Sequence, residues 1–282
     1  YWLIVLPLGL VLSWLLNVLR IALLVLIGAR VSPDLAVNGF HSYAGWLFFT
    51  LLALFLLFAV QFLPWVHRRD RVTRPGLSLR DDWLAARILP FIAFMIVGVL
   101  TSAVAVHPDL AYPAKTLVLL AALLFFRRQL SKLALSLDPV AIGAGLLVGL
   151  GWIVLQPPPG EAEAALMAGL ATLGGTALAF WVVARLLGTM LLVPVVEELF
   201  FRGYLLARLD LGGIAGRVVA IAVSSALFAA LHGRLIEAFV AGVIFALVML
   251  RRNKLGDAIV AHVVANSVIA IWALLVGDLS RI

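Results

Sequence analysis

The chain lacks cysteine and carries few charged residues. Without a thiol, these 282 residues contain no disulfide, no thiolate metal ligand and no cysteine nucleophile. Charged residues occupy 12% of the positions, hydrophobic residues occupy 65%, and the mean hydropathy is +1.16. This composition excludes a soluble globular domain and predicts an all-α, polytopic integral membrane protein.

The formal net charge of +7 does not indicate a nucleic-acid partner, because the basic residues lie in short loops between apolar runs. HRRDRVTR at 67–74, FRRQLSK at 126–132 and RRNK at 251–254 hold ten of the 21 Lys and Arg residues. The positive-inside rule predicts that these loops face the cytoplasm. HPDLAYP at 107–113 and QPPPGEAE at 156–163 contain neither Lys nor Arg, as expected of loops on the outer side. The expected partner is a lipid bilayer.

The apolar runs predict about ten membrane helices. The basic stretch 67–86, with Pro75 and Gly76, is predicted to be a cytoplasmic linker between a front piece, 1–66, and a membrane domain, 87–282. The predicted helices cover 3–27, 44–66, 87–106, 114–128, 139–155, 164–187, 190–208, 214–233, 236–251 and 256–276.

Two adjacent glutamates interrupt an apolar run in VVEELFFRG, residues 195–203. An acidic side chain at the centre of a membrane helix costs about 2.5–3.5 kcal/mol on insertion scales. Glu198 and Arg202 are one helical turn apart and are predicted to pair, an arrangement that by itself indicates a structural ion pair. Glu197 points about 100° away on the helix and is predicted to remain available.

Two further pairs with the same spacing follow, Phe228 with His232 and His262 with Asn266. Taken separately, these residues have structural interpretations. Phe228 would be a core residue, His232 an interfacial histidine at a helix end, and His262 with Asn266 a source of hydrogen bonds between helices. Three successive apolar helices that each carry polar groups are expected to bring them together or to line a wet cavity. The set therefore predicts a reactive site.

The motifs EExxxR, FxxxH and HxxxN occur in this order as EELFFR, FAALH and HVVAN. Together they resemble the CAAX protease and bacteriocin-processing family, intramembrane endopeptidases related to the type II CAAX prenyl protease. The resemblance covers about 87–282 and implies an eight-helix bundle. It implies a protein or peptide substrate that is cleaved close to the membrane.

Carried over residue by residue, the resemblance implies that Glu197 and His232 activate a water molecule for attack on a peptide carbonyl. His262 and Asn266 would then stabilise the oxyanion, as preorganised donors do. The implied supporting residues are Glu198, Arg202 and Phe228. A water cavity that reaches the cytoplasmic side is a hypothesis at this stage.

The metal content stays open. Glu197, His232 and His262 are also a zinc-ligand set, although the HExxH spacing of many metalloproteases is absent. We expect a mechanism without a cofactor, with zinc as the alternative.

The front piece contains NVLRI at 17–21 and GFHSYAG at 39–45. A snorkelling Arg20 and a loop histidine at His41 are the structural interpretation. The pattern also resembles the C-terminal part of an exosortase, a membrane cysteine transpeptidase that acts on the outer face. Arg20 and His41 match that family's catalytic arginine and histidine, while its cysteine lies upstream of this pair. Because the chain begins within an apolar run, we expect it to be a fragment that starts after the cysteine.

This combination resembles the exosortase E/protease fusions of the VPEID-CTERM type. The resemblance implies a bacterial inner membrane and a role in protein sorting or maturation. The predicted topology puts Arg20 and His41 toward the outer side, and a protease cavity that reaches the cytoplasm would then argue against handing one substrate between the two sites. Two alternatives remain: a non-catalytic binding or immunity protein with the same fold, and a proton-coupled transporter in which buried Glu and His relay protons.

Overall fold

The computed structural model describes residues 2–31, 33, 36, 52, 78–104 and 108–282. Within these residues there are ten helices and no β-strand, which confirms the all-α polytopic class. The helices are α1 Trp2–Arg30, α2 Trp83–Val104, α3 Tyr112–Phe125, α4 Arg127–Leu130, α5 Pro139–Val154, α6 Glu161–Ala171, α7 Gly175–Leu209, α8 Gly213–Ala229, α9 Leu235–Arg252 and α10 Leu255–Val276.

Among the described residues, five helical segments are long and apolar enough to cross a membrane, namely Pro7–Arg30, Trp83–Ser102, Pro108–Phe125, Gly175–Leu209 and Leu255–Val276. The chain divides into two compact units, one with Tyr1–Gly76 and Met95–Ala111, the other with Leu77–Phe94 and Tyr112–Ile282. The candidate catalytic residues of the protease motifs, Glu197, His232, His262 and Asn266, belong to the second unit.

The sequence-based boundaries around α7 were wrong. We predicted helices over 164–187 and 190–208, whereas the chain breaks at 172–174 and then continues as one helix to Leu209. Two π-helical stretches, Gly188–Leu192 and Phe201–Leu206, lie within this helix. Gly188 is a packing residue, because a Cβ there would lie 2.6 Å from the Tyr112 ring on α3.

One end of the second unit collects the basic loops, and we call it the basic end. The Asp138 carboxylate, just before α5, accepts hydrogen bonds from Arg251 and from Arg252, the latter at 2.8 Å. Gln129 Nε2 donates to the Asp81 carbonyl at 2.7 Å, which ties the short helix α4 to the segment before α2. The Asp138 bonds bring the start of α5 to the end of α9. The Ala134 carbonyl, between α4 and α5, lies against Gly256 at the start of α10, so these helix ends share one end of the unit.

Hydrogen bonds also define the opposite end of this unit. Arg234 Nη1, before α9, donates to the Trp152 carbonyl near the end of α5 at 2.8 Å. Arg281 Nη1, after α10, donates to the Pro157 carbonyl at 3.1 Å. The segments that follow α5, α8 and α10 therefore lie together, away from the basic end.

Close packing between α5 and α10 depends on two glycines of α5. A Cβ on Gly149 would lie 2.8 Å from the Ala265 carbonyl oxygen, and one on Gly145 would clash with the Ala261 carbonyl oxygen. Gly145 and Gly149 are four residues apart, so they form one small-residue face on which α10 rests. Because α10 carries His262, this face fixes the position of a candidate catalytic residue.

Replacing either Gly145 or Gly149 by alanine is expected to destabilise the protein by about 1–3 kcal/mol, the usual cost of overpacking. The matched controls are Gly143→Ala and Gly151→Ala on the same helix, where an added Cβ meets nothing within 4 Å. These controls should be neutral or slightly stabilising, since alanine favours helix. Unfolding by SDS titration in mixed micelles measures all four, and equal effects at the four positions would contradict the packing account.

Candidate active site

The candidate catalytic residues of the three sequence motifs line one cavity of about 340 Å³ in the second unit. This volume lies within the range of small-molecule and peptide-side-chain sites. The motif residues on its wall are Glu197, Phe228, His232, His262 and Asn266. Residues that are up to 69 positions apart in sequence, from 197 to 266, are thus brought together as the sequence analysis expected.

Glu198 and Arg202 form a fully buried ion pair behind the cavity wall, which confirms the pairing predicted from their spacing. Arg202 Nη1 donates to Glu198 Oε1 at 3.1 Å, and both side chains are 0% exposed. Arg202 Nη2 donates to the Gly242 carbonyl of α9 at 2.8 Å. The guanidinium carbon also lies 4.5 Å from the centre of the Phe228 ring, a cation–π distance. The pair therefore links α7, α8 and α9.

His262 is held between the two glutamates. Its Nδ1 lies 2.9 Å from Glu198 Oε1, and because an ionised carboxylate only accepts, Nδ1 is the donor. Its Nε2 lies 3.9 Å from Glu197 Oε2. The ring stacks on Phe245 of α9 with centroids 4.7 Å apart and planes 20° apart. The Glu198 bond and the Phe245 stack thus fix the ring so that Nε2 faces Glu197.

Glu197 and Glu198 each have one buried oxygen without a hydrogen-bond partner among the described residues, but only Glu197 lines the cavity. The Glu197 side chain is buried on α7, and its unpartnered atom is Oε2. An isolated ionised carboxylate is expensive to bury, and orphaned polar atoms of this kind concentrate at reactive positions. Glu197 therefore combines a buried position with free acceptor capacity on the cavity wall.

His232 does not lie in a helix, contrary to the predicted helix 214–233. α8 ends at Ala229, and His232 lies in the turn that follows, where its backbone N–H donates to the Ala229 carbonyl at 2.9 Å. Its Nδ1 lies 2.8 Å from the Phe228 carbonyl, which can only accept, so Nδ1 carries the hydrogen. The neutral ring therefore presents Nε2 as its basic nitrogen. This bond keeps His232 against Phe228, with ring centroids 4.5 Å apart, although the helix has ended.

Asn266 Nδ2 donates to the Thr189 carbonyl at 2.8 Å. Thr189 belongs to the first π-helical stretch of α7, where the widened turn changes the direction of the backbone carbonyls. The amide keeps a second N–H and its carbonyl oxygen for other partners. The π-helical stretch thus orients a candidate oxyanion donor.

Sequence reasoning missed four residues that shape the site. Phe245 supports His262, Thr189 orients Asn266, Gly242 accepts from Arg202, and the Trp152 ring lies 6.3 Å from that of His232. Gly242 had a signal, since a glycine within a helix indicates close backbone approach. The other three had no signal in the sequence. An aromatic residue in an apolar helix, or a residue that contributes only its backbone carbonyl, gives the same sequence pattern whether or not it belongs to a site.

The structure gives little information on the two exosortase-like positions, Arg20 and His41. Arg20 is half-buried on α1, and His41 lies outside the described residues, so their pairing stays a prediction. Within the described ranges, no three His, Asp or Glu side chains are arranged to hold a metal ion.

Two family models match separate parts of the chain. The model described as type II CAAX prenyl endopeptidase Rce1-like matches residues 179–268, and the transmembrane exosortase model matches residues 1–59. The predicted resemblance to a CAAX endopeptidase in one part of the chain and to an exosortase in another is confirmed. The CAAX-endopeptidase-like segment includes all four candidate catalytic residues, and the exosortase-like segment includes Arg20 and His41. Comparison with curated proteins and with solved structures gave no significant match. The two family matches support a membrane protease or protein-sorting role.

Proposed function

We propose that the second unit is an intramembrane endopeptidase that hydrolyses a peptide bond close to the membrane with a water molecule activated by Glu197. The strongest support is the position of Glu197, whose buried Oε2 lies 3.9 Å from His262 Nε2 on a cavity shared with His232 and Asn266. A desolvated carboxylate beside imidazoles is suited to general-base catalysis. The protein would act in the bacterial inner membrane, in protein sorting or maturation, together with the exosortase-like part.

In the proposed reaction, Glu197 takes a proton from water while the water oxygen attacks the carbonyl carbon of the substrate. His232 assists through Nε2, the nitrogen that is left free by the bond of Nδ1 to the Phe228 carbonyl. The tetrahedral intermediate then collapses, the C–N bond breaks, and the proton held by Glu197 passes to the leaving amine. The products are one new carboxylate and one new amine, so the atoms balance without a co-reactant.

His262 and Asn266 are the proposed oxyanion donors. His262 can donate from Nε2 when both of its nitrogens carry hydrogen, and this nitrogen is the one that faces Glu197. Asn266 has one amide N–H left after its bond to Thr189. Arg202 neutralises Glu198, so only one carboxylate of the adjacent pair is left to act as a base.

The cleavage assay for this proposal uses the purified full-length protein in liposomes with a membrane-anchored peptide. We expect His232→Ala to lower the cleavage rate by about 10²-fold or more, as loss of an acid–base group does. Leu231→Ala is the matched control, because Leu231 lies in the same turn but is 42% exposed. Equal rates in wild type and His232→Ala would remove His232 from the mechanism.

The zinc alternative, with Glu197, His232 and His262 as ligands, makes a separate prediction. We expect cleavage to be unchanged after incubation with EDTA or 1,10-phenanthroline and dialysis. The reason is that, within the described residues, the Glu197, His232 and His262 side chains are not arranged to hold a metal ion. Loss of cleavage on chelation that is restored by zinc would instead establish a metalloprotease.

A further inference from the structure

The floor of the cavity is formed by Glu197, Phe245 and His262. From this floor the cavity extends in one direction only. On α7 the lining residues run from Arg185 to Glu197, and on α10 they run from His262 to Ala270. Within the described part of the chain, no lining residue of this cavity lies beyond Glu197 on α7 or before His262 on α10. The cavity thus leads from the middle of these helices toward the start of α7 and the end of α10.

That direction points away from the basic end. α7 runs toward the basic end, because Arg87 Nη1 of α2 donates to the Gly203 carbonyl at 2.6 Å. α10 starts at the basic end, where Leu255 lies beside Gly203. The cavity wall includes Trp152, His232 and Arg281, which belong to segments at the opposite end. The mouth therefore lies at the opposite end of the unit.

The two ends differ strongly in charge. In the described part of the unit, Lys and Arg at the basic end are Arg80, Arg87, Arg127, Arg128, Lys132, Arg208, Arg217, Arg251, Arg252 and Lys254. At the opposite end they are Lys115, Arg185, Arg234 and Arg281. Arg234 and Arg281 pair with neighbouring acids, Glu237 at 2.9 Å and Asp278 at 2.9 Å. The positive-inside rule therefore assigns the basic end to the cytoplasm and the mouth of the cavity to the outer side.

The continuous helix α7 supports this orientation. If 164–187 and 190–208 were separate spans, strict alternation would carry RRNK at 251–254 to the outer side, against the positive-inside rule. In the structure α7 is one span, and α6, with 11 residues, is too short to cross the membrane. Alternation of the remaining helices then puts both FRRQLSK and RRNK on the cytoplasmic side. The hydrogen bonds of Arg251 and Arg252 to Asp138 place RRNK beside the segment that connects FRRQLSK to α5.

We propose that the protease cavity opens to the outer face of the membrane and takes a peptide segment of a membrane protein that has already been translocated. This substrate class rests on the proposed endopeptidase function. It reverses the earlier hypothesis of a cavity that reaches the cytoplasm. Translocation is then the class of reaction that must supply the substrate, and the outer face is also where the sequence places Arg20 and His41. One substrate can therefore meet both activities on the same face of the membrane.

Accessibility labelling of single-cysteine variants of the full-length protein tests the orientation without reference to activity. Gly233→Cys lies at the mouth end, where a side chain meets nothing within 4 Å, and Ile269→Cys lies on the cavity wall. Ser131→Cys is a nearly isosteric change in the exposed loop after α4 at the basic end. A membrane-impermeant maleimide is applied to spheroplasts and to inverted vesicles, and labelled peptides are identified by mass spectrometry.

We expect label at positions 233 and 269 in spheroplasts, and at position 131 only in inverted vesicles. The reverse pattern would overturn the outward orientation, and protection of position 269 from both sides would overturn the open cavity. The readout does not require cleavage, so a correctly labelled protein that cleaves no peptide would contradict the proposed function alone. Cleavage that occurs only when the peptide is supplied on the face where Ser131→Cys is labelled would contradict this inference. It would leave the proposed function intact.

Discussion

Replacing Glu197 by glutamine is expected to lower the rate of peptide cleavage by about 10²–10⁴-fold, the contribution of a well-placed general base. Glutamine keeps the size of the side chain but cannot take the proton from water. The protein should stay folded and be at least as stable as wild type, because the substitution removes a buried carboxylate whose Oε2 has no hydrogen-bond partner among the described residues.

The control for this variant is Glu161→Gln, the same chemical change at an exposed position on α6. It should retain the wild-type rate. Initial rates in liposomes and SDS unfolding midpoints separate loss of chemistry from loss of structure. A wild-type rate in Glu197→Gln would make Glu197 a structural residue, which favours the non-catalytic alternative.

Breaking the buried pair of Glu198 and Arg202 should give the largest change in stability. Arg202→Met leaves Glu198 buried without its cation, and removal of one partner from a buried pair costs about 3–5 kcal/mol. The double variant Glu198→Gln/Arg202→Met should recover much of this loss, since it leaves no uncompensated charge. It should remain inactive, because His262 Nδ1 then loses its carboxylate partner.

The control pair is Arg217 with Asp210, joined at 3.2 Å, with the arginine side chain 56% exposed. Arg217→Met should cost no more than about 1 kcal/mol, as is usual for surface ion pairs. The free energy of unfolding is measured for all four proteins under the same SDS titration. Similar losses in Arg202→Met and Arg217→Met would contradict the assignment of Arg202 as the central support of the site.

Hydropathy predicted the class of the protein and most of its helices, but it did not show which glycines mark a break between helices. The chain breaks at 172–174 and not near Gly188, although glycines occur in both places. What distinguishes Gly188 is the approach of Tyr112 from α3, a tertiary contact that local patterning does not contain. The same limit explains His232, whose side chain keeps its position through a bond to the Phe228 carbonyl after the helix ends.

Polar residues of the site were predictable because charge in an apolar helix needs a partner, and i,i+4 spacing identified Arg202 as the partner of Glu198. Phe245 and Thr189 were not predictable, since one contributes an apolar ring and the other a backbone carbonyl. The direction of the cavity depends on which helix ends meet, and that required the hydrogen bonds of Asp138 and Arg234.

Hydrolysis by an activated water is tested most directly by mass spectrometry of a membrane-anchored peptide after incubation with the full-length protein in H₂¹⁸O. We expect two fragments, with one ¹⁸O in the new carboxyl terminus and none in the new amine, and no such fragments with Glu197→Gln. An intact peptide in the presence of folded wild-type protein, together with pH-driven solute flux in the same liposomes, would contradict it and favour the transporter.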